Sequence, residues 1–169
     1  SRPSGPGVRH HLGWAAAAML AVALFITTRI GVEPQLATFD PVNARAQLIA
    51  ASAETAVVPW APPAIEDIAA VSGDVTRNDD LQQGYMRLTG MPANNPERSQ
   101  YQLWIVDSDR DKNPVDGGVF DIPPGGGEIV IPIDAKLRVS EPEAFAITRE
   151  KPGGVVVSAG PLLVVAAAG

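Results

Sequence analysis

Beyond Ile65 the chain is interrupted at short intervals by clusters of turn-forming residues, and this punctuation constrains the fold more than any other feature. The clusters are Asn78-Asp79-Asp80, Met91-Pro92-Ala93-Asn94-Asn95-Pro96, Asp116-Gly117-Gly118, Pro123-Pro124-Gly125-Gly126-Gly127, Pro152-Gly153-Gly154 and Gly160-Pro161. Gly supplies positive φ, Pro removes a backbone donor, and Asn and Asp bond their own backbone, so each cluster ends regular structure. The intervals left between them suit strands. These are predicted at Ile68–Thr76, Gly84–Thr89, Gln100–Asp107, Gly117–Ile122, Glu128–Ile133, Ala144–Arg149 and Leu162–Ala167. Side chains alternate as a two-layer domain requires. Tyr101, Leu103 and Ile105 share one face, Gln102, Trp104 and Val106 the other, and Ile129, Ile131 and Ile133 align. The fold class is therefore mainly β, an antiparallel β-sandwich of about seven strands over residues 64–169. Apolar residues make up 46% of the chain but aromatics only 5%, so the core must rest on Val, Ile, Leu and Ala. The C-terminal run VVVSAGPLLVVAAAG is cut by Gly160-Pro161 and reads as two strand segments, not a membrane helix.

The N-terminal part follows a different pattern. Leu12 to Thr28 holds 17 residues without a charge. As a helix that run covers roughly 25 Å, the short end of a bilayer span. Ile30-Gly31-Val32 extends it if Arg29 snorkels to the interface. A transmembrane helix over 12–32 is the expectation. A cleaved signal peptide would fit the length, but Thr27 to Gly31 lacks a small-residue exit. A buried core helix is the third reading and the least supported, because the run has no polar face. Arg2 and Arg9 precede the run, which favours an N-terminus inside. Residues 1–11 read as a flexible tail, and Ser1 in place of Met suggests a fragment of a longer protein. Residues 33–63 read as a juxtamembrane connector. It contains a helix from about Pro41 to Glu54, capped by Asp40, which packs on the domain.

Composition removes whole classes of chemistry. The net charge is −6 and no basic patch occurs, which disfavours nucleic acid as a partner. No cysteine is present, so disulfides, thiolate metal sites and thiol nucleophiles are excluded. Both histidines, His10 and His11, precede the apolar run, so the β-domain lacks the commonest general base. The segment Asp107-Ser108-Asp109-Arg110-Asp111-Lys112-Asn113 has the spacing of a calcium loop. Lys112, however, stands where the turn needs Gly, and Gly118 stands where a bidentate Glu is needed, so a solvated hairpin loop is expected. The carboxylate pairs Asp79/Asp80 and Glu141/Glu143 lie in turn-like surroundings. Gly125-Gly126-Gly127 lacks the Lys and helix of a phosphate cradle. Tyr101, Trp104 and Phe120 read as core before ligand platform, and Trp60 as a pin for the connector. The expectation is no enzyme, no cofactor and no metal.

Four blocks in order carry a likeness: GYMRLTGMP (84–92), YQLWIVD (101–107), GGVFDI (117–122) and AFAITREKPGGVVVSAGPLLV (144–164). Over about residues 64–166 they resemble the C-terminal, extracytoplasmic domain of anti-sigma-K factors of the RskA type. The matching positions are Gly84, Leu88, Pro92, Tyr101, Leu103, Trp104, Gly118, Phe120, Thr148, Pro152, Gly153, Gly154, Gly160 and Pro161, all expected to be structural. Two positions depart from the pattern: Lys151 precedes Pro152, and Ser158-Ala159 replaces the usual Pro-Thr. The resemblance implies a single-pass protein of the bacterial plasma membrane with its β-domain outside. A cytoplasmic domain absent from this chain would hold a sigma factor. A regulatory protease would act on a juxtamembrane segment near Gly31–Phe39. The alternative is a membrane-anchored binding module for a protein or glycan partner.

Overall fold

The computed structural model describes residues 39–168, apart from 64, 66, 67, 69, 111 and 112. The expected tail, transmembrane helix and first part of the connector lie outside the described residues. Among the described residues no helix is long and apolar enough to cross a membrane.

Residues Asp40–Gly169 form one compact unit. One helix, α1 (Pro41–Ala51), precedes eight strands: β1 (Ala56–Pro59), β2 (Ser72–Asn78), β3 (Gln83–Thr89), β4 (Gln100–Asp107), β5 (Val115–Phe120), β6 (Glu128–Pro132), β7 (Pro142–Glu150) and β8 (Val164–Ala167). They build two four-stranded sheets, ordered β1-β2-β3-β6 and β5-β4-β7-β8, and every pairing is antiparallel. The expected sandwich is present, without closure into a barrel.

The core lies between the sheets. Val75, Met86 and Leu88 enter from the first sheet, and Tyr101, Leu103, Ile105, Phe145 and Ile147 from the second. The Tyr101 and Phe120 rings stack with centroids 5.7 Å apart, and the Tyr101 hydroxyl donates to the Pro92 carbonyl at 3.0 Å. Ile129 and Ile131 of β6 and Ile133 just after it pack against this core, as their alternation predicts. Both open sides are bridged by chain leaving the first sheet. After β6, Asp134 and Lys136 donate to the Gly117 and Asp116 carbonyls of β5, and after β1, Ala61 donates to the Val165 carbonyl of β8. These bridges blunt edges that would otherwise invite pairing with another chain.

Several boundaries differ from the sequence reading, each for a physical reason. The strand expected over Ile68–Thr76 begins only at Ser72. Ile65, Ile68 and Val71, three residues apart, instead form successive turns, with Ile68 N donating to Ile65 O and Val71 N to Ile68 O. This drops Ile68 and Val71 into the core. Gly117-Gly118 is not a turn but a β-bulge inside β5, the register shifting opposite Leu103/Trp104, so the strand starts at Val115. An eighth strand, β1, lies in the stretch read as connector and pairs with β2. Trp60, just after it, is buried as a pin, its indole donating to the Arg87 carbonyl at 3.2 Å. Helix α1 stops at Ala51, three residues before Glu54, with Ser52 extended as its C-cap.

Candidate functional site

The chain between β7 and β8, residues 151–163, does not turn back directly. It crosses the outer face of the second sheet as a strap, and the β4 residues that point away from the core hold it. Alternation alone would place Gln102 and Trp104 in solvent, yet they are only 1% and 3% exposed. The Gln102 carboxamide acts as a surrogate peptide group. Its Nε2 donates to the Val155 carbonyl at 3.0 Å and its Oε1 accepts from the Val155 N–H at 2.9 Å. Gln100 Oε1 accepts from the Gly153 N–H at 2.9 Å. Further along, the Trp104 indole donates to Thr148 Oγ1 at 2.9 Å, and Thr148 donates to Glu150 at 2.7 Å. Ser158 Oγ donates to the same Glu150 oxygen at 2.5 Å. Buried polar groups need such partners, and here they fix both ends of the strap.

Between the two anchors the strap presents Val156 and Val157, 93% and 72% exposed. With Trp104, Val106, Ala146 and Leu162 they line a cavity of about 230 Å³. Because the indole N–H is already bonded to Thr148, Trp104 can offer this cavity only its ring.

The first sheet carries a second constellation on its own outer face. Asp74 and Arg87 are cross-strand partners in β2 and β3. The Asp74 carboxylate is 5% exposed. It takes Arg87 Nε at 2.8 Å on Oδ2, where Arg87 Nη2 also pairs, and Thr76 Oγ1 at 3.3 Å on Oδ1. Arg45 Nη2, from α1, completes the set on Oδ1 at 2.5 Å. Arg87 reaches on to Glu128 at 2.9 Å, and that hydrogen bond, with those it donates to Asp74, raises its pKa. Nearby, Leu48 packs with Tyr85 and Val130. Leu48 is the one buried residue of α1, so apolar burial holds the helix by about 1.5–3 kcal/mol. Asp40 starts the helix by accepting from the Val42 N–H at 2.9 Å and the Asn43 N–H at 3.3 Å.

The residues singled out by the sequence separate into groups. Leu88, Tyr101, Leu103 and Phe120 are core. Trp104, Thr148, Pro152, Gly153, Gly154, Gly160 and Pro161 gather on or under the strap. Gly84 and Gly118 lie in β3 and β5, and Pro92 carries the carbonyl bound by Tyr101. Trp104 faces away from Tyr101 and Phe120, so the three do not form one platform. Sequence reasoning missed that Gln100, Gln102 and Glu150, together with Ser158, hold the strap. It also missed Arg45, Asp74 and Arg87, which no local motif marks.

Asp107, at the end of β4, is committed to backbone groups. The carboxylate is 4% exposed and accepts from the backbone N–H groups of Ser140 at 2.8 Å, Glu141 at 3.2 Å and Asp109 at 3.1 Å. Among the described residues no cluster of three or more metal-ligating side chains occurs. Burial works against its ionisation, but these three hydrogen bonds and the Arg110 charge outweigh it, so its pKa is lowered. A lowered carboxylate stabilises the fold above its unfolded pKa of about 3.9, and that contribution fades as pH falls through the folded value. Asp107→Ala should therefore cost about 2–3 kcal/mol at neutral pH. In urea titrations the gap from wild type should narrow below about pH 4. A gap independent of pH would mean that the carboxylate charge contributes nothing.

A family model described as "Anti-sigma-K factor rskA, C-terminal" matches residues 12–162. No curated protein and no solved structure matches the chain.

Proposed function

Because this chain belongs to the anti-sigma-K factor family, over its C-terminal domain, we propose that it is the anchored regulatory part of an anti-sigma factor. In this reading residues 12–32 span the plasma membrane and the β-sandwich stands outside the cell. A cytoplasmic domain outside this chain holds a sigma factor inactive, and cleavage near residues 31–39 leads to its release. The sandwich contributes no catalysis. The observation that carries the reading is the extent of the family match, which runs through the apolar segment as well as the sandwich. The lack of His and Cys beyond residue 11 supports a non-enzymatic role.

The test is purification of the intact protein from membranes. Recovery of a sigma factor with it, lost when the membrane-proximal segment is cleaved, is the expected result. Failure to recover any sigma factor sinks the proposal. If another partner is recovered instead, and Val156→Asp abolishes its capture, the exposed strap valines would make the chain a binding module.

A further inference from the structure

Helix α1 is the element that joins the sandwich to the stretch at residues 31–39. From the way it is held, we infer that α1 is a releasable clasp, with the ion pair of Arg45 and Asp74 as its catch. This inference rests on the regulatory reading above for its purpose, but not for its geometry.

Three observations carry it. First, the helix is lightly attached: of its residues only Leu48 is buried, while Val42 and Ile49 are 57% and 41% exposed. Second, the docked state is imperfect. Arg45 Nη2 reaches Asp74, yet the buried Arg45 Nε finds no partner among the described residues. A buried unsatisfied donor opposes docking, and water would satisfy it on release. Third, release leaves no orphan behind. With Arg45 gone, Asp74 keeps both Arg87 nitrogens and the Thr76 hydroxyl. The sheet therefore has two acceptable states, and the helix has one ion-pair catch beside its Leu48 contact, which suits a switching element.

Release also has a structural consequence. A helix of 11 residues is marginal in water once detached. Undocking would therefore turn residues 41–51 into extended chain. Proteases require such extended chain, and a docked helix withholds it.

The experiment compares the full wild-type chain with Arg45→Ala and Arg45→Lys by amide hydrogen exchange. Arg45→Ala should speed exchange of the amides at residues 45–51 by about fivefold. The amides pairing β2 with β3 should keep their wild-type rates, and Arg45→Lys should fall between. Unchanged exchange in α1 overturns the clasp, and so does an equal loosening of β2 and β3. Sigma-factor release, measured on the same variants in cells, separates the two ideas. A freed helix without altered release would uphold the clasp and count against the regulatory reading.

Discussion

Replacing Gly154 with alanine should lift the strap from the second sheet and lower stability by about 3 kcal/mol, while Gly153→Ala should cost only about 1 kcal/mol. Both glycines have positive φ, 75° and 82°, which alanine adopts with similar strain. Their surroundings differ. A Cβ on Gly153 meets nothing within 4 Å, whereas a Cβ on Gly154 lies 2.8 Å from Gln102 Oε1 and 2.7 Å from Val119 Cγ2. Gln102 is buried and both ends of its carboxamide are committed to Val155. It cannot move aside without unpairing groups inside the protein, at about 1–3 kcal/mol for each group left unsatisfied. The difference should appear as a melting temperature lower by about 6–12 °C for Gly154→Ala, with a shift of a few degrees for Gly153→Ala. The Val155 amide, which donates to Gln102, should exchange faster only in the Gly154 variant. Equal losses from the two variants would mean that backbone strain, not the Gln102 contact, holds the strap.

What could be read from the sequence was what local periodicity encodes. The alternation of Tyr101, Leu103 and Ile105 named core residues because their partners face the same interior. The opposite face of that strand was misleading. Gln102 and Trp104 look like solvent positions until a segment some fifty residues later folds over them. Gly117-Gly118 was ambiguous in principle, since a glycine pair serves a turn or a bulge equally well, and only the pairing of β4 with β5 decides. Asp74 and Arg87 are 13 residues apart and become partners only once the β2–β3 register is fixed. Arg45 joins them only when α1 docks. The residues that attach movable pieces to the sandwich were the ones hidden from local reasoning, because their roles depend on tertiary contacts.

The same constellation yields an asymmetry that can be measured. Asp74→Ala should destabilise the protein by about 3 kcal/mol, several times the effect of Arg45→Ala at about 1 kcal/mol or less. Removing the carboxylate strands two cations at once. The Arg45 side chain is 17% exposed and would lose Asp74, the one acidic group that pairs with it among the described residues. Arg87 is 34% exposed and keeps Glu128, so its share of the loss is smaller. Thr76, fully buried, would lose its acceptor as well. Removing Arg45 strands nothing: Asp74 retains Arg87 and Thr76, and the unpaired Arg45 Nε disappears with the side chain. Chemical denaturation of the two single variants and the double variant would give both numbers and their coupling. In the double variant the Arg45 substitution should recover part of the loss, because it removes the cation that Asp74→Ala strands. Equal effects of the two single substitutions would mean that the carboxylate depends on Arg45 as much as Arg45 depends on it. The sheet would then have no stable undocked state, and α1 would be a fixed part of the sandwich.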